Sequence, residues 1–420
     1  MSKLRTTGKI FIIILLVFIL SGCMDQTEVD QLAYVVAIGL GKSEEDDNLV
    51  KITYIFANPE SGTQAGGSGG DEPPQETISF SATDFITSRS LANAVIAKQV
   101  TYDLLRLIIV SEDFAKDEDF IRWIYDATKA MEIRRDIRLL VSQEEPSVFV
   151  QNNQPKLDTR PHQYFELMFN RGLNTGTVPP SKLNRFFRIT EADANLFLSI
   201  YATTELNDDT KENKDPDNIA AGEFEFEGET NNTQFAGSAV FKEGIMIDTL
   251  TIEETRLAFL LSNVLQQPDE ILTSLPDPFT DEHYLTVRIR RESNVDLKMN
   301  LDKTKPSILA TIPISIEVMT NHGMTDFTDS EKIRQTLEKS FEDTLTEKFD
   351  ELIKKTQEKY STEPFGWSLV ARKEFLTIPE WESFDWMKTY PNMEIHTDVR
   401  VDLEKFGRQT ELPSLDEMRD

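Results

Sequence analysis

The chain has 420 residues, 44 basic against 73 acidic side chains, a formal net charge of −29 and a single cysteine, Cys23. So acidic a surface repels nucleic acid and anionic lipid headgroups. One cysteine excludes an internal disulfide framework, so the fold must rest on apolar cores, and this length predicts two or three of them.

The chain opens on Lys3, Arg5 and Lys9, followed by an uncharged segment of 11 residues, Ile10–Leu20. A basic stretch and a short apolar run ahead of small residues is the order of a signal peptide. The run falls short of the ~20 helical residues that span a ~30 Å hydrocarbon core. Its end, Leu20-Ser21-Gly22-Cys23, resembles the lipobox of bacterial lipoproteins, in which the cysteine thiol takes a diacylglyceryl group and becomes the mature N-terminus. The alternative is an ordinary buried cysteine closing a signal anchor. Removing residues 1–22 takes away three basic residues and no acid, leaving 41 basic against 73 acidic and a net charge of −32. Charge cannot hold such a chain to a membrane. Two acyl chains can, since each buried CH₂ contributes ~0.8 kcal/mol and a single chain holds only marginally.

Behind a short polar stem, Leu32–Leu40 is a near-continuous apolar run and Leu49–Asn58 alternates, which predicts an antiparallel pair. Pro59–Pro74 is Gly-rich and cannot bury apolar surface, so it reads as a surface insertion. Strand, helix and strand follow over Thr77–Ser81, Asp84–Gln99 and Leu104–Val110, then a helix over Asp117–Met131 and a strand over Ile137–Val141. Thr159–Asn170 and Ser181–Thr190 read as helices, Asn195–Thr204 as a strand, and the polar Asn207–Asn218 as an exposed loop. Gly222–Asp248 contains two candidate strands, FEFEG and TQFAGSAVF, then a turn at Lys242-Glu243-Gly244 and a returning IMI. Thr251 and Glu254 form a capping box for a helix over Thr251–Gln266, and Pro268–Pro278 breaks the chain.

Further on, alternation places Leu285, Val287 and Ile289 on one strand face, Val295, Leu297, Met299 and Leu301 on a second, and Ile312, Ile314, Ile316 and Val318 on a third. Ser330–Tyr360 is one long helix with Leu337, Phe341, Leu345, Phe349, Leu352 and Ile353 on its apolar side. Met393–Val401 supplies a last strand beside the aromatic segment Phe365–Trp386.

Motifs that would carry chemistry fail on their context. Gly66-Gly67-Ser68-Gly69-Gly70 matches a nucleophile elbow but lacks the strand before it and the helix after it. Gly41-Lys42-Ser43 has Val36 where a P-loop needs its first glycine, and the loop at 207–218 lacks the spacing of a calcium loop. His162, His283, His322 and His396 belong to no metal-ligand motif. Adjacent acids such as Asp208-Asp209 and Glu253-Glu254 are expected by chance among 73. Trp367, Trp381 and Trp386 could line a groove but read first as core, and Arg134, Arg135 and Arg138 read as exposed or ion-paired. No catalytic, cofactor-binding or metal-binding residue is assigned, and Cys23 is the one residue with a chemical fate.

The order of features resembles the Ger(x)C-type spore germination lipoproteins. The resemblance rests on the lipobox with Asp25 and LAYVVAIGL, on Leu104–Val110, on Met131–Val141 (MEIRRDIRLLV), and above all on Gly237–Phe241 (GSAVF) with Glu253–Arg256 (EETR). Pro364-Phe365-Gly366 and Glu380–Trp386 add to it, while Met24 and the Gly-rich insertion depart from it. The resemblance implies a non-enzymatic subunit of a nutrient germinant receptor, lipid-anchored on the outer face of the cell or spore inner membrane, without cofactors and in contact with two integral membrane subunits. It leaves open whether this subunit touches the germinant. It implies an α+β chain of three mixed α/β domains, taken as 23–205, 206–278 and 279–420 behind the signal peptide 1–22, the last a mainly antiparallel sheet packed by a long helix. The competing readings are a substrate-binding lipoprotein of a membrane transporter, against which no repeat of the first domain is seen in the last, and a surface-anchored hydrolase, for which no nucleophile stands out.

Overall fold

A computed structural model describes residues 31–406, apart from 47, 58–74, 128, 130–132, 158–159, 193, 208–216, 281–282, 324, 328–329 and 405. The signal segment, Cys23, the Gly-rich stretch and Asp208-Asp209 therefore lie outside the described residues.

Among the described residues the strands form two sheets. The first is nine-stranded: β3 (Gln75–Ala82), β2 (Val50–Ala57), β1 (Leu32–Lys42), β5 (Leu107–Ser111), β6 (Arg138–Ser142), β7 (Phe197–Thr203), β8 (Gln234–Lys242) and β9 (Ile245–Leu250) lie side by side, with β4 (Gln99–Thr101) beside β1. Its centre is parallel, from β1 through β5 and β6 to β7, and both flanks are antiparallel. Parallel strands need helical crossovers that cover both faces, so their residues are buried on both. Ile108, Val110, Leu139 and Val141 accordingly face α1 (Phe85–Ala92), α3 (Phe120–Ala127) and α6 (Leu183–Thr190). Leu107, Ile109 and Leu140 face α4 (Pro146–Asn152) and α5 (Pro161–Thr175) on the other side. The four-residue α2 (Glu112–Ala115) follows β5 directly.

The second sheet has five strands around a central β13 (Ser307–Val318). Along one edge β11 (Tyr284–Arg291) pairs with its C-terminal half and β12 (Asp296–Asn300) with its N-terminal half, both antiparallel, while β10 (Ile271–Pro276) pairs with β11. Along the other edge runs β14 (Glu394–Leu403), parallel to β13. The crossover that makes β14 parallel is α8 (Glu331–Lys355), whose buried Leu337, Phe341, Leu345, Phe349 and Leu352 share one core with Ile308, Ile312, Ile314 and Ile316. A π-helical turn, Thr356–Tyr360, ends it. The short helices α9 (Trp367–Ala371), α10 (Ile378–Phe384) and α11 (Trp386–Thr389) add Trp367, Phe384 and Trp386 to that core. The chain is thus mixed α/β, with a long C-terminal helix on a mainly antiparallel sheet, as expected. Residues 206–278 contribute β8 and β9 to the first sheet and β10 to the second.

Several expected elements end elsewhere, each for a local reason. The helix expected over 84–99 stops at Ala92: Asn93 Oδ1 accepts Val100 N–H at 2.9 Å and turns the chain into β4, leaving Val95 72% exposed. FEFEG is not a strand. Gln234 replaces a partner strand there, its Oε1 accepting from Gly222 and Phe224 N–H at 2.9 and 3.3 Å and its Nε2 donating to Phe224 O at 2.6 Å. Pro268–Pro278 is not only a break, since it carries β10. The capped helix α7 (Ile252–Leu261) ends at Ser262, whose Oγ accepts Val264 and Leu265 N–H at 3.1 and 3.0 Å.

Candidate functional site: the seam between the two sheets

The residues that join the two sheets come from α7 and from the strap at 360–368. The capping box of α7 is formed, with Thr251 Oγ1 accepting Glu254 N–H at 3.2 Å and Glu254 returning to Thr251 N–H at 3.1 Å. This fixes the direction in which Glu253, Glu254, Thr255 and Arg256 leave the helix. Glu253 pairs with Lys348 of α8, and Glu254 with Lys355 at 2.6 Å. Thr255 exchanges a hydrogen bond of 2.7 Å with Ser238 of β8. Arg256, 8% exposed, donates to the carbonyls of Thr175 and Leu272 at 3.2 and 2.9 Å and pairs with Asp217 at 2.9 Å. One helical turn therefore reaches the long helix, the first sheet, the end of α5 and β10. Gly237 lets β8 come this close: its φ is +79°, its N–H donates to Thr177 O at 2.8 Å, and a Cβ there would lie 2.1 Å from Leu250 O.

The strap docks on the same turn from the other side. Leu196 N–H donates to Glu363 O at 3.1 Å, Thr362 Oγ1 to Ala194 O at 2.6 Å, and Ser368 Oγ to Asn195 Oδ1 at 2.8 Å, all at the entry to β7. Ser262 Oγ donates to Phe365 O at 2.8 Å and Trp367 Nε1 to Leu261 O at 3.0 Å, both at the end of α7. Lys242 reaches Tyr360 O at 2.9 Å, and Tyr360 Oη donates to Asp248, which also pairs with Lys359 at 2.6 Å. Burial alone would raise the Asp248 carboxyl, but the bonds from Lys359, Tyr360 and the backbone outweigh it and hold it below the usual range. The Tyr360 hydroxyl is held far above the phenol range by burial and by Asp248.

At the centre lies Glu363, fully buried, accepting N–H bonds from Gly366 at 2.7 Å and Ser368 at 3.0 Å. Desolvation outweighs these bonds and pushes its carboxyl up to about 8. Gly366 adopts φ +80° to turn its N–H inward, and a Cβ there would meet Val264 Cγ2 at 2.5 Å. The seam thus holds Glu253, Glu254 and Asp248 in fixed ion pairs and Glu363 on backbone N–H groups. It is a mechanical joint rather than an array of acids and bases converging on an open substrate position.

The remaining residues singled out in the sequence are spread over the molecule. Trp367 and Trp386 are buried in the second core and Trp381 packs on Trp386 at 6.1 Å between ring centroids, so they act as core. Arg134 pairs with Asp136 on the surface, while Arg138 lies over the Phe169 ring and pairs with Glu166. All four histidines are exposed, and His396 contacts Glu394. Among the described residues no three His, Cys, Asp or Glu side chains are grouped to hold a metal ion, and no helix is long and apolar enough to cross a membrane. Sequence reasoning missed a broad cleft of about 1240 Å³ between α4, α5 and the end of β7, lined by the amides Gln151, Asn152, Asn153, Gln154, Asn231 and Asn232. The density of Asn and Gln at 151–154 and of Asn at 231–232 was its visible signal.

The family model "Spore germination protein N-terminal domain" matches residues 25–202, and "Spore germination B3/GerAC like, C-terminal" matches residues 236–407. The chain belongs to the Ger(x)C-type spore germination family. The resemblance to that family is therefore borne out, and GSAVF and EETR, which both fall in the C-terminal match, lie in the seam. A full-length relative, the putative spore germination protein YfkR of Bacillus subtilis (strain 168), is 21% identical over 96% of this chain and 97% of its own length. Spore germination protein KC of the same organism is 26% identical over 112 residues, covering 26% of this chain and 28% of the relative. The crystal structure of the GerBC protein superposes with a TM-score of 0.50 at 16% identity, covering 91% of this chain and 99% of that one. At that identity the likeness is one of fold, and it extends across both sheets of this family member.

Proposed function

We propose that this protein is a lipid-anchored, non-catalytic subunit of a spore nutrient germinant receptor that acts through contacts with integral membrane subunits. The observation that carries the reading is the use of the EETR segment. All four side chains are committed to internal partners on four different elements, so the most recognisable charged motif of the chain builds a rigid joint. A chain held together in this way presents fixed outer surfaces, which suits an interaction subunit. Membership of a spore germination family supplies the process, and the lipobox ending at Cys23 supplies the tether. With a net charge of −32 behind that cysteine, attachment must come from acyl chains.

Replacing Cys23→Ala in the full chain, in a strain without a redundant receptor, tests the tether and the role together. The variant should leave the membrane fraction, fail to incorporate radiolabelled palmitate, and lose nutrient-triggered germination while accumulating normally. Normal germination in a strain lacking this gene altogether would defeat the receptor reading. Crosslinks from the surface of the membrane-bound protein to multi-pass neighbours would identify the partner-facing side.

A further inference from the structure

Among the described residues the seam borders a cavity whose chemistry the joint does not use. It measures about 490 Å³ and opens between α6, the entry to β7, the end of α7 and the strap. That size falls within the ~300–1,000 Å³ typical of small-molecule pockets. Ile189, Leu196, Val264, Pro364 and Leu369 form apolar walls, and Arg185 and Arg188, one helical turn apart on α6, supply the charge.

We propose that this cavity binds a small organic anion, its oxyanion head on Arg185 and Arg188 and its tail against the apolar walls. Neither guanidinium has an ion-pair or hydrogen-bond partner among the described residues, in a chain where acids outnumber bases by 73 to 44. The neighbouring carboxylates are engaged elsewhere: Glu191 accepts from Tyr125 at 2.9 Å, and Glu363 is turned inward onto Gly366 and Ser368. Asp193 lies outside the described residues. Arg185 is half-buried, and burial together with the charge of Arg188 lowers its pKa to about 10, the pattern of a cation held without its counter-ion. A partly desolvated cation beside a like charge is costly unless an anion completes it. Asn195 adds neutral donors, since its Oδ1 accepts from Ser368 while its amide NH₂ has no protein partner among the described residues. Two guanidinium forks and an amide suit a carboxylate or phosphate oxygen pair. The inference stands apart from the receptor reading, because the cavity would bind its anion whatever the chain assembles with.

The test uses the full chain in nonionic detergent, with the fluorine resonance of 6,6,6-trifluorohexanoate as the probe and the neutral 6,6,6-trifluorohexanol as the control for partition into micelles. The carboxylate should broaden and saturate. The alcohol should do so only as it does in empty micelles, and inorganic phosphate should compete weakly for lack of a tail. Arg185→Gln should weaken the carboxylate at least ~10-fold, the scale of one charge-assisted contact. Arg188→Glu, at an exposed position, should do the same and carries the test if Arg185→Gln fails to fold. Equal binding of acid and alcohol, or an affinity unchanged in Arg188→Glu, would overturn the proposal. Phosphate displacing the probe as well as unlabelled hexanoate does would overturn the apolar part of it.

Discussion

In the first sheet, β5 and β7 bury every residue they contain, whereas in the second, the antiparallel β12 buries none fully and β11 alternates. The difference follows from connectivity. Parallel strands bring crossover helices to both faces, while the antiparallel strands of the second sheet leave one face to water and rest the other on α8. The first sheet is thus stabilised from two sides and the second from one, and the second gains the rest of its enclosure from the seam. The seam should accordingly make two unlike sheets unfold as one unit.

The largest effects test that coupling directly. Phe186→Ala in the first core and Phe341→Ala in the second should each cost ~3–5 kcal/mol. Both should shift the same denaturation transition, seen alike by Trp123 on the first sheet's side and by the tryptophans of the second core. Two transitions, only one of them moved by each variant, would show the sheets to be independent. Next in size is the pH response of the joint. Glu363 has its folded pKa raised to about 8 from 4.5, so the folded state keeps a proton that the unfolded state has lost. Its contribution is fully present below 4.5 and is lost as pH rises through 8. Over that window the stability of the native protein should fall relative to Glu363→Gln by up to ~1.4 kcal/mol per pH unit. Chemical denaturation of both proteins at pH 5, 6.5 and 8 measures it, and a difference independent of pH would refute a neutral buried carboxyl.

Gly237→Ala should cost at least ~1–3 kcal/mol through its positive φ alone, with the approach to Leu250 O adding to that. Hydrogen exchange should rise in β8 and β9 first. Exchange rising first in β11 and β13 instead would place the strain in the other sheet. The smallest effects separate the capped helices. Thr251→Ala and Ser330→Ala each remove a cap worth ~1 kcal/mol. Thr251 also sets the direction of EETR, so only its loss should increase exchange on both sides of the seam.

How much of this was visible in the chain depended on how local the cause was. Alternation in Ile312, Ile314, Ile316 and Val318, and the spacing of Leu337, Phe341, Leu345 and Phe349, are properties of a strand and a helix with one buried face, and these elements formed as read. The continuous run LIIV of β5 was legible because burial on both faces removes every polar residue. Phe224 and Phe226 alternate with glutamates as a strand would, yet no strand pairs with them, because a side chain ten positions away holds the backbone. The seven-residue α4, starting on Pro146, is too short to show a period. The capping box is legible because its partners are three residues apart. The seam itself is not legible in this way, because nothing in EETR specifies that its partners lie at 348, 355, 238 and 217. Glu363 and Arg185 look like any other charged residue until the assembled fold buries one and leaves the other facing a cavity.

The strap carries a consequence for the order in which the molecule is completed. Thr362 meets Ala194 across 168 positions and Ser368 meets Asn195 across 173, so the entry to β7 waits for nearly the whole chain. Contacts of such sequence separation form late, because loop closure must precede any gain from them. A chain cut short before residue 360 would hold every strand of its first sheet and still lack the clamp at the entry to β7. Completion of the N-terminal half therefore depends on contacts that the C-terminal half supplies.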